Sequence, residues 1–352
     1  MSEPNRPRRR GLLVATAALA TAPIIHAVAQ HDHSAHAGHS AAPPANRAAP
    51  LPERVKLKLT WNATALCTSP IAVAEREGIF SRYNLDVELI NFGASTEALL
   101  EAIATGHADA GVGMALRWLK PLEQGFDVRI TAGTHGGCMR LLAAKNTGIT
   151  EDLASLRGKT IAVTDMAAPD KNFFSILLAR HGVNPERDVT WKVFPANVFE
   201  LALSRGEVQA IALGDPLAWQ FRKRLDLVEI STNLSEDYAN RACCVLGVRG
   251  SLIRSNRPVA AALSQALVDA QNLVAGNHEL AARTFAAYAP GNVSVAEMRE
   301  IMESHTHGHS PVGRQLREEL QAYITDLKRI NVIRANTDPS RMADRITADV
   351  FA

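Results

Sequence analysis

The chain has 352 residues, 47% hydrophobic and 21% charged, with a formal net charge of +2 at pH 7. A balance this close to neutral excludes the basic surface of a nucleic-acid binder. Four cysteines in this length exclude a disulfide scaffold, while the length leaves room for two domains.

The N-terminus reads as an address label. Arg8-Arg9-Arg10-Gly11-Leu12-Leu13 puts consecutive arginines before an apolar stretch that runs to about Val28, too short and too alanine-rich for a membrane span. Ala27-Val28-Ala29 is a small-x-small cleavage site, so residues 1–29 are expected to be an export signal. The arginine pair fits the twin-arginine route; an ordinary secretory signal fits nearly as well. No cysteine follows the site to carry a lipid anchor. Cleavage would move the formal charge to −1, in an oxidising compartment. Residues 30–52 hold almost no large apolar side chains and read as a flexible linker. Its His31, His33, His36 and His39, with Asp32, either collect zinc, copper or nickel loosely or only solubilise the chain. A second histidine cluster, His305, His307 and His309, has a spacing that chelates from a loop but not from one helix face.

The body then alternates strands and helices. Val55 to Trp61 predicts a strand, Pro70 to Phe80 a helix with Pro70 in its first turn, and Leu85 to Ile90 a strand. Thr96 to Thr105 predicts a helix stopped by Gly106. Ala108 to Gly113, Met114 to Gln124 and Val128 to Thr131 continue as strand, helix, strand. The series restarts after Thr150. Strands are expected at the end of Leu153–Val163, then at Val189–Phe194, Ala210–Leu213 and Leu227–Ile230. Helices are expected at Asp170–His181, Val198–Arg205 and Asp215–Arg224. This pattern implies two parallel, helix-covered sheets. Cys243 to Val248 reads as one more strand. From Pro258 onward the chain reads as helices, Val259–Ala275, His278–Tyr288, Ala296–His305 and Arg314–Ile330, expected to coat the first lobe.

Several stretches resemble one family. Pro70 to Phe80 followed by Tyr83-Asn-Leu-Asp-Val-Glu-Leu89 has the form of an apolar helix, Glu-x-x-Gly-Ile-Phe, then Asn-Leu-Asp-Val. Ala104-Thr-Gly-His-Ala-Asp-Ala-Gly-Val-Gly113, Thr147 to Lys159 and Arg205-Gly-Glu-Val-Gln-Ala-Ile211 match further motifs. Over residues 55–290 the chain resembles the nitrate/sulfonate/taurine group of periplasmic solute-binding proteins, which also contains the thiamine-pyrimidine synthases. The resemblance implies an α/β fold of two doubly wound lobes joined by a two-crossing hinge, the type II periplasmic binding protein fold, with C-terminal helices. Residues 53–140 plus 242–352 would form lobe 1, and 141–241 lobe 2. It also implies a monomeric periplasmic receptor that captures a small molecule or ion between the lobes and hands it to an ABC permease with its ATPase.

Ligands of such sheets sit at the carboxyl ends of strands. That rule selects Trp61, Asn62, Thr64, Cys67, His135, Cys138, Met139, Asp165, Asp215, Cys243 and Cys244. Thiolates and imidazoles favour soft or borderline metals, so Cys67, His135, Cys138, Cys243 and Cys244 form a candidate copper or zinc site, with Met139 as a soft neighbour. The bland alternatives are buried apolar thiols, a Cys67–Cys138 disulfide, or a vicinal Cys243–Cys244 bridge. The alternative for Trp61 is a plug at the sheet end, and for Asp165 and Asp215 a helix N-cap. Arg117 and Arg140 either neutralise an anionic guest or, the more common case for an arginine, lie solvated on the surface. The synthases carry a Cys-Cys-Cys-Phe-Cys run at the comparable crossing; only Cys243 and Cys244 match it here, so their activity is not carried over. Hydrolase and phosphoryl-transfer motifs are absent. The reading is therefore a receptor and not an enzyme, with a periplasmic metal-dependent enzyme or a metal scavenger or sensor as the alternatives.

Overall fold

The computed structural model describes residues 48–93, 96–134, 137–305 and 308–352. The export signal, the histidines of residues 30–39, His135 and His307 lie outside the described residues.

Ten strands form two five-stranded sheets. They are β1 Val55–Trp61, β2 Leu85–Asn91, β3 Ala110–Met114, β4 Val128–Thr134, β5 Met139–Ala143, β6 Thr160–Val163, β7 Thr190–Val193, β8 Ala210–Gly214, β9 Val228–Thr232 and β10 Cys244–Arg249. The first sheet runs β2-β1-β3-β10-β4 and the second β7-β6-β8-β5-β9. Each lobe therefore owns four of the strands of its own βα series or return, and receives one strand that enters from a crossing. That entering strand lies inside its sheet and runs against its neighbours: β10 is antiparallel to β3 and β4, and β5 to β8 and β9. The sheets are thus mixed, not parallel as the alternation alone predicts. A strand arriving from the other lobe comes from the opposite end of the sheet, and helix–strand spacing carries no trace of that reversal.

The helices are α1 Ser69–Arg76, α2 Ile79–Arg82, α3 Thr96–Ala104, α4 Ala115–Glu123, α5 Pro169–Arg180, α6 Phe199–Ser204, α7 Leu217–Arg224, α8 Gly250–Ser255, α9 Arg257–Gly276, α10 His278–Phe285, α11 Val295–His305, α12 Gly313–Arg329 and α13 Pro339–Ile346. The single helix expected over Pro70 to Phe80 is two, because Gly78 takes a left-handed φ of 65° that ends the first one. Strand β5 shows how the second lobe buries both faces. Leu141 joins the large core that includes Phe173 and Phe174 of α5, while Leu142 joins a separate cluster with Phe199 of α6 and Phe221 of α7.

The C-terminal helices do more than coat the first sheet. α9 lies on α1 and β4, whereas α12 touches α4 and β4 on one side and α5 on the other. From α11, Glu300 pairs with Lys223 of α7 at 2.6 Å. Among the described residues no helix is long and apolar enough to cross a membrane.

Candidate ligand-binding site at the lobe crossings

Two crossings join the sheets, one between β4 and β5 and one, residues 233–243, between β9 and β10. They lie against each other. Asn233 Oδ1 accepts the backbone N–H of Cys138 at 2.9 Å and of Met139 at 2.8 Å. The Asn233 N–H donates to the Met139 carbonyl at 3.2 Å. This approach needs glycine at 137, where an added Cβ would stand 2.7 Å from Leu234 Cδ2.

The crossings bring cysteines together. Cys138 Sγ and Cys243 Sγ are 3.9 Å apart, one from each crossing. Cys138 and Cys244 each interact with both Cys67 and Cys243, so the four thiols close a ring. Cys67 reaches it on the single 3-10 turn Leu66–Thr68 that follows β1. The second lobe holds that turn. The Leu66 N–H donates to the Asp215 carbonyl at 3.4 Å, and the Asp215 N–H donates to the Cys138 carbonyl at 2.7 Å. All four cysteines are buried and unbridged, which leaves neither disulfide in place.

The thiols perturb one another. Hydrogen bonding with Cys243 and Cys67, then burial, pushes the Cys138 thiol well above its ordinary value; burial comes first for Cys244, followed by the same two neighbours. Both are therefore protonated at neutral pH. Burial, with Cys243 as its neighbour, raises the Tyr323 hydroxyl in the same direction. Among the described residues, no three His, Cys, Asp or Glu side chains stand in ready-made metal-holding geometry.

Among the buried hydroxyls without a hydrogen-bond partner are Thr134 Oγ1 and Ser69 Oγ. Thr134 is paired directly with Cys244 in the antiparallel ladder, so their side chains share one sheet face. Ser69 follows Cys67 by two residues. Unpaired buried hydroxyls are uncommon and costly, and they call for an explanation.

Around the ring the lobes are bound by charge. Arg140 on β5 is buried, not surface-exposed as its type suggests. Its Nε donates to Asp215 Oδ1 at 2.9 Å, its Nη1 to Glu229 at 2.5 Å, and its Nη2 to Ser304 at 2.8 Å and meets His305 Nδ1 at 2.8 Å. Burial works against the guanidinium charge, but Asp215 and Glu229 overcome it and raise its pKa; burial pushes Asp215 upward against the pull of Arg140. Asp215 also accepts the backbone N–H of Trp219 at 3.1 Å, from one residue before Pro216, which is the N-cap of α7. Arg117 of α4 is likewise not a surface arginine: it pairs across the lobes with Asp165, and beside them Asp170 is buried with its pKa raised to about 7, chiefly by desolvation.

The remaining candidates build the frame. Trp61 is buried edge-on to Tyr288, with ring centroids 5.3 Å apart. Asn62 Oδ1 accepts both the N–H and the hydroxyl of an exposed Thr64, and the Asn62 carbonyl accepts the Thr68 hydroxyl at 2.6 Å; these residues shape the turn that carries Cys67. His305 is tied to Arg140, and His309 to Glu319 at 3.0 Å, so neither hangs free on a chelating loop. Asn233, Ser69, Thr134 and Asp170 escape a reading of residue types, and Arg140 is read there only as an anion partner or a surface charge. Only Arg140 leaves a mark, as a charge inside the apolar run Met139–Ala143.

The chain is 27% identical over 255 residues to the bicarbonate transport ATP-binding protein CmpC of Synechocystis sp., a match covering 67% of this chain and 38% of CmpC. It is 29% identical over 110 residues to the yeast (Saccharomyces cerevisiae) 4-amino-5-hydroxymethyl-2-methylpyrimidine phosphate synthase THI11, covering 31% of this chain and 32% of that one. The chain thus spans between 32% and 38% of the length of the curated relatives it matches. In structure it is similar to the periplasmic aliphatic sulphonate binding protein SsuA from Escherichia coli, with a TM-score of 0.70 at 15% identity over 83% of this chain and 92% of SsuA. That likeness establishes the periplasmic binding protein fold. The model of the NMT1-like family matches residues 51–289, and the chain belongs to that family.

Proposed function

We propose that the protein is the periplasmic receptor of an ABC importer of the nitrate/sulfonate/taurine type. It is exported by the signal of residues 1–29, acts as a monomer, and delivers its guest to a membrane permease and its ATPase. Lobe 1 is residues 53–140 with 242–352, and lobe 2 is residues 141–241. The guest is a soft, thiol-seeking species, with copper or zinc ions as its simplest representatives. It is held by Cys67, Cys138, Cys243 and Cys244, with His135 and Met139 as further donors. The ring of four thiols carries this reading. It gathers three separated segments at the place where the lobes join, so a guest bound there ties the hinge to both halves. Copper and zinc match thiolate donors better than magnesium or calcium does. Binding requires the thiols to rotate toward a common centre and lose protons. The likeness in fold to the sulphonate binding protein SsuA, over 92% of its length, supports a receptor in preference to a catalyst.

The test is equilibrium dialysis of the reduced protein, recovered from the exported fraction, against Cu(I), Zn(II), nitrate, bicarbonate and ethanesulfonate. The expected result is one soft ion per chain that disappears in the Cys138→Ser/Cys243→Ser variant, whose histidine-rich linker is intact. Saturable binding of an anion, with metal content unchanged by the double substitution, would overturn the thiol site.

A further inference from the structure

We infer that α11 is a proton-released strap between the lobes: His305 holds it on the second lobe as a neutral imidazole, and acid lets it go. The inference concerns how the lobes are tied and stands whichever guest they take.

α11 starts from the first lobe, because α10 before it packs on α1 and α9. The strap reaches the second lobe at three places. Gln220 of α7 donates to the Gly291 carbonyl at 3.2 Å, ahead of α11. Lys223 of α7 pairs with Glu300 at 2.6 Å. Arg140 Nη2 of β5 donates to Ser304 Oγ and meets His305 Nδ1, each at 2.8 Å. The first two contacts are exposed and contribute little. The third is buried, with His305 4% and Arg140 1% exposed.

That third contact fixes the state of the imidazole. A guanidinium carries only donors, so His305 Nδ1 accepts from Arg140. The Ser304 hydroxyl spends its own proton on the Ile301 carbonyl at 2.7 Å. The ring is therefore neutral, with its hydrogen on Nε2. A second proton, on Nδ1, removes the acceptor and sets an imidazolium against a guanidinium.

Among the described residues, the acids around this contact are already matched. Asp215, after β8, takes Arg140 and the Trp219 N–H. Glu229 of β9 takes Arg140 and stands 3.6 Å from Arg222 of α7. On α11 itself Glu300 pairs with Lys223 and Glu303 with Arg299, and Glu319 of α12 takes His309. Two guanidiniums and two carboxylates balance around Arg140, so one more cation there is buried without compensation.

Release has somewhere to act. A groove of about 830 Å³ lies along the strap, with Leu217, Gln220 and Phe221 of α7 on one wall and Gly291 and Glu297 on the other. Undocking α11 removes that second wall and parts the lobes on this side. The same step loosens Arg140 from α11. Arg140 holds Asp215, whose N–H and carbonyl bond Cys138 and Leu66 at the crossings. The docked strap excludes a proton that a released imidazole takes up near pH 6.5. The equilibrium for release is therefore flat above that pH and rises about tenfold per pH unit below it.

The experiment follows hydrogen exchange by mass spectrometry on the reduced, guest-free full chain at pH 7.5 and pH 5.5, corrected for the intrinsic amide rate at each pH. The expected result is that protection of Val295–His305 falls about tenfold at pH 5.5, while that of α9 holds. His305→Asn keeps an acceptor near Nδ1 and takes no proton, so its strap should stay protected at both pH values. Equal strap protection in the wild type at the two pH values would overturn the inference by itself, however well the variant folds. A fall that persists in His305→Asn, or one shared by α9, would overturn it as well. With no guest present, the result is independent of whether the thiol site binds anything.

Discussion

Replacing Arg140 by methionine should destabilise the protein far more than a typical arginine substitution. The Arg140 and Asp215 side chains are 1% and 0% exposed, and their ion pair closes at 2.9 Å. Methionine fills much of the space but leaves the Asp215 carboxylate buried without a cation. Glu229 is 26% exposed and can turn to water, so it adds little. Breaking one side of a buried pair costs about 3–5 kcal/mol, whereas an exposed pair is worth about 0–1 kcal/mol. The loss should be read from urea unfolding followed by circular dichroism. The Arg140→Met/Asp215→Asn double variant should recover part of it, because the stranded charge is gone. Arg140→Lys should fall between, since an ammonium cannot reach Asp215, Glu229 and His305 in one planar fork. A loss below about 1 kcal/mol for Arg140→Met would refute the buried-network argument, since that is the scale of a solvated pair. Guest affinity should drop alongside stability, because Asp215 carries the backbone bonds that hold the Leu66–Thr68 turn and Cys138.

Asp170 should give the protein a pH dependence near neutrality. Its folded pKa of about 7 lies above the ordinary carboxyl value of about 3.9. The folded state therefore holds this proton more tightly, and the stability it contributes is complete below about pH 4 and lost as pH rises through about 7. Asp170→Asn should be more stable than the wild type at pH 8, with the difference vanishing toward pH 4; a pH-independent difference would contradict the assignment. Thiol titration in the absence of guest should find all four cysteines in denaturant and almost none reacting promptly in the native protein at pH 8. Asn233→Ala should cost about 1–3 kcal/mol per stranded N–H, at Cys138 and Met139, measured by thermal unfolding.

Much of the scaffold can be read from local pattern because local rules made it. Pro70 and Gly106 mark helix ends by their own backbone constraints, and the βα alternation from Val55 to Ile230 follows from periodicity. Strand direction is different. β5 and β10 look like any apolar run, and their reversal is set by which lobe the chain has just left. The convergence of cysteines from positions 67, 138, 243 and 244 follows from the strand-end rule combined with a family resemblance; spacing along the chain shows nothing of it. Arg140 was misplaced because a lone arginine is usually solvated, and only the arrival of Asp215, Glu229 and α11 makes its burial tolerable. Ser69, Thr134 and Asn233 are unremarkable as residue types, since their meaning lies in a partner gained or missing in space.

The most direct measurement is sulfur coordination around a bound guest, by X-ray absorption on the reduced protein loaded with one equivalent of Cu(I). The account predicts a shell of sulfur neighbours that collapses when Cys138 and Cys243 are both serine. A shell of nitrogen and oxygen neighbours, unchanged by that substitution, would place the guest elsewhere and contradict it.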